Sequence, residues 1–242
     1  MGLSSIVGYM KVTHSVHHPG NTTDRTTLLP TVIAIHGHGA HSQDLLGLAP
    51  FLANGRLLMV CPEAEFMLQP GLPSYTWFEP TGTDLKRSPA EFERVAERVS
   101  EFIVKALRQY NGDPSRTVLL GFSQGGSLAY RIGLGAPERF AGVAALSTWL
   151  PEEAETAASS SEALAALPVL VQHGTNDPAI DIDRGQDSRD RLTALGVKLT
   201  YLEYEMQHQI SAESLRDLSL WCEQILELPS LEAPDESVPH GE

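Results

Sequence analysis

Short runs of β-branched and apolar residues alternate with longer stretches that repeat apolar residues at helical spacing, and this alternation constrains the chain more than any other feature. Residues 31–36 (TVIAIH), 57–61, 117–120, 142–147, 167–172 and 198–202 read as strands. Residues 42–52, 88–110, the stretch after Ser123, 183–195 and 211–226 read as helices. Strands separated by helices cannot pair as hairpins, so the chain must cross over and return parallel. The expected fold class is α/β, a mostly parallel central sheet with helices on both faces.

Local signals sharpen this reading. Ser88-Pro89-Ala90-Glu91 marks a helix start: Ser88 can cap, Pro89 suits the first helical position, and Glu91 can complete a capping box. Phe92, Val95, Val99, Phe102, Ile103 and Leu107 then share one face, and Asn111-Gly112-Asp113-Pro114 ends the helix. Residues 62–87 have Pro and Gly but little periodicity, and connections of that length tend to be functional. With no linker or internal repeat, one domain is expected over 1–228, followed by an acidic, disordered tail at 229–242.

A net charge of −14 disfavours nucleic acid and anionic membrane surfaces as partners, and no apolar run approaches membrane-spanning length. Cys61 and Cys222 lie far apart in sequence, outside any metal or redox spacing; both are expected to be packing residues in a reducing compartment. The first residues lack a signal-peptide pattern, and Ile6 stands where a myristoylation motif after Gly2 needs Ser or Thr. A cytoplasmic protein with a small-molecule partner is expected.

The chemistry concentrates at Gly121-Phe122-Ser123-Gln124-Gly125-Gly126, a G-x-S-x-G between a strand and a helix. A sharp turn there exposes a strained serine, and side chains at positions 121 and 125 would clash. A serine hydroxyl is a weak nucleophile and needs a base oriented by a carboxylate. In this architecture the acid and then the base follow the serine, each after a later strand. Asp177, in His173-Gly174-Thr175-Asn176-Asp177-Pro178, and His208, in Glu205-Met206-Gln207-His208, occupy those places. His173 ends a strand directly and is expected to pack. The oxyanion donors are expected to be the backbone N–H of Gln124, after the nucleophile, and of His38, in the glycine-rich loop His36-Gly37-His38-Gly39.

With IAIHGHGA, PEAEF, TWFEP, LLGFSQGGSLAYRIG, LSTWLP, VLVQHGTNDPAI and YEMQHQIS in place, the chain resembles the phospholipase/carboxylesterase family of α/β-hydrolases, which also contains acyl-protein thioesterases. The resemblance spans residues 31–226. It implies an α/β-hydrolase fold, a triad of Ser123, Asp177 and His208, backbone donors at His38 and Gln124, and a pocket near the Trp77-Phe78 loop and Trp149. Leu45 is a further pocket candidate. The chain departs from the family pattern in two places. His38 and Ala40 stand where Leu and Asp are usual, and Gln207 stands where Gly usually precedes the catalytic histidine. Both bear on substrate preference more than on mechanism.

Two rivals remain. His36, His38 and His41 match H-x-H-x-x-H, a pattern that binds zinc, but Ala40 replaces the expected Asp and no later ligand set has suitable spacing. No metal or other cofactor is therefore expected. A non-catalytic, ligand-binding member of the fold would not need the complete triad. The expected activity is hydrolysis of short to medium acyl esters through an acyl-enzyme, with thioester cleavage as the alternative.

Overall fold

The computed structural model describes residues 12–20, 27–80, 87–158 and 161–229. The expectations for Gly2 and for the tail beyond residue 229 lie outside these residues, as do positions 81–86 of the long connection.

Strands β1 (His14–His17), β2 (Leu29–Ile35), β3 (Leu58–Pro62), β6 (Gly112–Phe122), β7 (Gly142–Leu146), β8 (Pro168–Gly174) and β9 (Lys198–Tyr204) form one sheet. Their order is β1-β3-β2-β6-β7-β8-β9. Only β1 runs antiparallel to its neighbour. The helices are α1 (Ser42–Leu46), α2 (Pro89–Tyr110), α3 (Gln124–Gly135), α4 (Glu152–Ala157), α5 (Glu162–Ala166), α6 (Ile182–Leu195) and α7 (Ala212–Ile225). This is the α/β-hydrolase fold.

The continuous apolar runs are explained by the two-residue period of a strand. Ile33, Ile35 and Leu119 pack with Phe92 and Ile103 of α2, Leu128 of α3 and Leu192 of α6. Their sequence neighbours Val32, Ala34 and Leu120 point the other way, onto Leu45 of α1 and Leu218 and Trp221 of α7. Truncating a side chain such as Ile33, which is fully buried, costs about 2–5 kcal/mol because the cavity only partly collapses.

Several local expectations need correction. Residues 42–52 are not one helix: α1 ends at Leu46 with Gly47 as its cap, Pro50 offers no N–H to continue it, and a 3-10 turn at Leu52–Gly55 follows. At α2, Ser88 accepts from Glu91 N, but the Glu91 carboxylate accepts from Glu79 N at 2.7 Å instead of closing a capping box. Asn111 caps that helix in the left-handed conformation (φ 56°), and β6 begins immediately after it. The long connection contains a hairpin of β4 (Phe66–Met67) and β5 (Tyr75–Thr76). The segment around His14, His17 and His18 carries the edge strand β1. There His14 Nε2 lies 2.7 Å from the Tyr110 hydroxyl.

Candidate active site

β6 delivers Ser123 at the carboxyl edge of the sheet, where open α/β sheets place their ligand crevices. Ser123 has φ 52° and ψ −119°, a conformation disfavoured for a residue with a Cβ. The surrounding fold holds it there. Ser123 N donates to Leu146 O at 2.9 Å, and Thr148 Oγ1 donates to Ser123 O at 2.7 Å. The glycines are needed for close approach. A Cβ at Gly121 would lie 2.3 Å from Gly125 O, and one at Gly125 would lie 2.1 Å from Ile35 O. That second contact seats the end of β2, and the loop after it, directly against the start of α3.

Asp177 and His208 meet. Asp177 Oδ2 accepts from His208 Nδ1 at 2.8 Å, while Asp177 Oδ1 accepts from Ala179 N at 2.8 Å and Ile180 N at 2.9 Å. Burial pushes the Asp177 carboxyl up, but the hydrogen bonds from Ile180, His208 and Ala179 outweigh it and leave its pKa below the ordinary aspartate value. The His208 ring packs on Phe122, the residue before the serine, with centroids 4.9 Å apart. Its loop fits closely over Gly174, where a Cβ would lie 2.3 Å from Met206 O. Gln207 is exposed and does not have positive φ, so the backbone there does not require glycine. His173 is fully buried and its Nε2 donates to Ile180 O at 2.8 Å, as a packing histidine would.

Loop 36–41 approaches from the other side of β6. His36 Nδ1 donates to Gly37 O at 2.8 Å, and the Trp77 indole Nε1 donates to His36 O at 2.8 Å. Gly39 N donates to Tyr75 O at 2.8 Å. The Gln124 side chain joins this framework, its Oε1 accepting from Trp77 N at 3.0 Å and Thr76 Oγ1 at 3.2 Å. His38 is exposed beside this loop, and partial desolvation of its ring lowers its pKa below the ordinary histidine value.

Residues 22–225 match the family described as Phospholipase/Carboxylesterase. The chain belongs to the phospholipase/carboxylesterase family. It is a serine hydrolase of esterase or thioesterase type. It is 32% identical over 221 residues to an acyl-protein thioesterase 1 of Cryptococcus neoformans, covering 81% of this chain and 92% of that one. It is 29% identical over 218 residues to an acyl-protein thioesterase 1 of Mycosarcoma maydis, covering 81% and 91%. The structure of esterase PE8 superimposes with a TM-score of 0.73 at 25% identity, covering 89% of this chain and 99% of that one.

Within this hydrolase the pocket expectations divide. Trp77 and Phe78 are not among the residues that line the cavity beside Phe122 and Gly37. Trp77 is 2% exposed and Phe78 packs on Phe92 with centroids 5.7 Å apart, so both belong to the core. Aromatic rings on a loop bury when strands and helices offer them an apolar floor, and α2 supplies it. Trp149 is half-buried beyond the end of β7, with the Arg184 guanidinium 4.5 Å over its ring. Leu45, by contrast, lines a cavity of about 260 Å³ together with Gly37, Ala40, Leu48, Phe122 and Ile210. A larger cavity of about 610 Å³ lies at the opposite, amino-terminal end of β2 and β6, away from Ser123.

The histidine triplet does not converge. His36 turns inward to Glu63, with Nε2 3.1 Å from Oε1, while His41 caps α1 and pairs with Asp44 at 3.3 Å. Among the described residues no group of three or more His, Cys, Asp or Glu could hold a metal ion. Among them, too, no helix is long and apolar enough to cross a membrane. Sequence reasoning missed Thr148, Phe122 and Ile210 as site neighbours. Each sits within two residues of a strand end or of a proposed catalytic residue, and that proximity was the available signal.

Proposed function

We propose that this hydrolase is a carboxylesterase that cleaves short to medium acyl esters through Ser123, His208 and Asp177. The observation that carries the reading is the Asp177–His208 hydrogen bond on a ring packed against Phe122, next to a serine held at φ 52°. In the first half-reaction Ser123 Oγ attacks the acyl carbon while His208 Nε2 takes its proton. Asp177 keeps the proton on Nδ1 and stabilises the imidazolium. The backbone N–H groups of His38 and Gln124, the latter at the first position of α3, receive the oxyanion. His208 then protonates the leaving alcohol. A water activated by the same ring hydrolyses the acyl-enzyme and restores Ser123.

The cavity lined by Leu45, Leu48, Phe122 and Ile210 suits the acyl chain. Its volume of about 260 Å³ falls below the range of roughly 300–1,000 Å³ typical of larger ligands, which favours short to medium chains. The names of the fungal relatives support a second reading, cleavage of acyl thioesters, which the same residues would perform. Two free, buried cysteines fit a reducing, cytoplasmic setting. The test is a kcat/KM series from acetyl to palmitoyl, on matched oxygen esters and thioesters, with Ser123→Ala as control. A maximum at or below octanoyl on oxygen esters is expected. A maximum at palmitoyl thioester would overturn the carboxylesterase reading, and activity retained in Ser123→Ala would overturn the serine mechanism.

A further inference from the structure

Behind loop 36–41 lies a buried polar network that the triad does not use. The His36 side chain is 1% exposed and that of Glu63 14%. His36 Nε2 accepts from Ala64 N at 3.1 Å and lies 3.1 Å from Glu63 Oε1; Glu63 Oε1 accepts from Ser42 N at 2.9 Å and Oε2 from Ser42 Oγ at 3.0 Å. Ser15 Oγ lies 2.9 Å from Ser42 Oγ, which ties the network to β1. One carboxylate therefore holds the residue that opens the loop, His36, and the residue that follows it, Ser42. A carboxylate directly after a fully buried strand is costly unless partnered, and among the described residues this one is partnered by the two ends of that loop. Burial pushes the Glu63 carboxyl up, but hydrogen bonds from His36 and Ser42 outweigh this and leave its pKa below the ordinary glutamate value.

The consequence runs through one peptide plane. His36 Nδ1–H donates to Gly37 O. A trans peptide is planar, so its C=O and the next N–H point in opposite directions. Holding the Gly37 carbonyl toward His36 thus sets the direction of the His38 N–H. Gly37 faces the serine closely, since a Cβ there would lie 3.2 Å from Ser123 Cβ.

We propose that Glu63 is a positioning residue for the oxyanion hole: by clamping His36 and Ser42 it fixes the Gly37–His38 peptide, whose N–H stabilises the tetrahedral intermediate. The proposal rests on the serine mechanism above. Glu63 touches neither substrate nor Ser123, and acts only through His36 and the loop backbone.

The test compares Glu63→Leu with Glu63→Gln, whose amide can still accept from Ser42 N and donate to His36 Nε2. In Glu63→Leu, kcat on a short p-nitrophenyl ester is expected to fall about 10- to 100-fold with KM changed less than about twofold, because a misdirected donor weakens the transition state and not the ground state. Affinity for an alkyl trifluoromethyl ketone, which forms a tetrahedral adduct with the serine, is expected to fall by the same factor. Glu63→Gln is expected to stay within about threefold of wild type on both readouts. Wild-type kcat and ketone affinity in a folded Glu63→Leu would overturn the proposal. So would a loss confined to KM or thermal stability, which marks a merely structural role. Should Glu63→Leu fail to fold, Ser42→Ala loosens the same clamp, and an unchanged ketone affinity there overturns the proposal equally. A wild-type enzyme that neither binds the ketone nor depends on Ser123 would instead bring down the serine mechanism, and this proposal with it.

Discussion

Loop 36–41 and loop 205–210 reach Ser123 from opposite sides of β6, and they are held in different ways. The first is tied on several sides: to the Trp77 indole, to the backbone of Tyr75 in both directions, and to Glu63 through His36 and Ser42. Its key ring, His36, is 1% exposed. The second carries His208, whose side chain is 22% exposed and is restrained by one hydrogen bond to Asp177 and one ring contact with Phe122. The difference matches the two tasks proposed for these loops. An oxyanion donor works best preorganised, with no reorganisation when charge develops. A general base must take a proton from one oxygen and deliver it to another, so its ring needs some freedom and access to water.

The comparison can be broken first at its less restrained side. His208→Ala is expected to reduce kcat by about 10⁴-fold or more, comparable to Ser123→Ala, because triad members act as a unit. A fall of less than tenfold would move the base role elsewhere, with His173, whose Nε2 lies 3.8 Å from Asp177 Oδ2, as the next candidate. Asp177→Asn leaves the hydrogen bond geometrically possible but favours the wrong tautomer of His208. A fall of about 10³–10⁴-fold is expected in steady-state kinetics; an unchanged rate would mean that the pairing does not orient the base.

On the pinned side, loss of the Trp77 indole contact should show mainly in stability. Trp77→Phe keeps the ring's bulk in the core but leaves His36 O without its indole donor, which costs about 1–3 kcal/mol. That corresponds to a melting temperature lower by roughly 2–12 °C for a domain of this size, with a smaller change in KM than in kcat. A severalfold rise in KM with the melting temperature unchanged would return Trp77 to the substrate pocket.

Acid titration tests the anchor of the second loop. The folded-state pKa of Asp177 is depressed. Its stabilising contribution is therefore present above the unfolded carboxylate value of about 3.9 and lost as pH falls through the lower folded value. In urea unfolding between neutral and acid pH, Asp177→Asn is expected to show a shallower loss of stability than wild type. An identical slope would contradict the hydrogen bonds assigned to that carboxylate. Asp177 stays ionised through the mildly acidic range. The smallest effect is expected from Gln207→Gly: since position 207 is exposed and does not have positive φ, kcat should change less than about threefold, within the range of ordinary surface substitutions.

What the sequence reveals follows the strength of its periodic signals. The buried parallel strands and the α2 helix are legible because each offers a long apolar pattern with a single solution. The Ser-Asp-His order is legible because strand ends and motif glycines mark positions on the sheet edge. β1 is not: His14-Ser15-Val16-His17 is half-buried throughout, and its pairing with β3 is a tertiary fact that propensity does not carry. Trp77 and Phe78 mislead for a related reason. Aromatics on a long connection look like pocket walls until the packing of α2 and the His36 carbonyl show where their rings go. Glu63 leaves only one trace in sequence, an acid immediately after an apolar strand, and its partners lie 21 and 27 positions away.

The central claim, that Ser123 is the nucleophile activated by His208, is tested most directly by stoichiometric labelling with a fluorophosphonate followed by peptide mass spectrometry. The account predicts one adduct per chain on the peptide carrying Ser123. Esterase activity should fall in proportion to labelling, the adduct should be absent in Ser123→Ala, and it should form far more slowly in His208→Ala. Full labelling of Ser123 with activity retained, or loss of activity with the adduct on another residue, would contradict it.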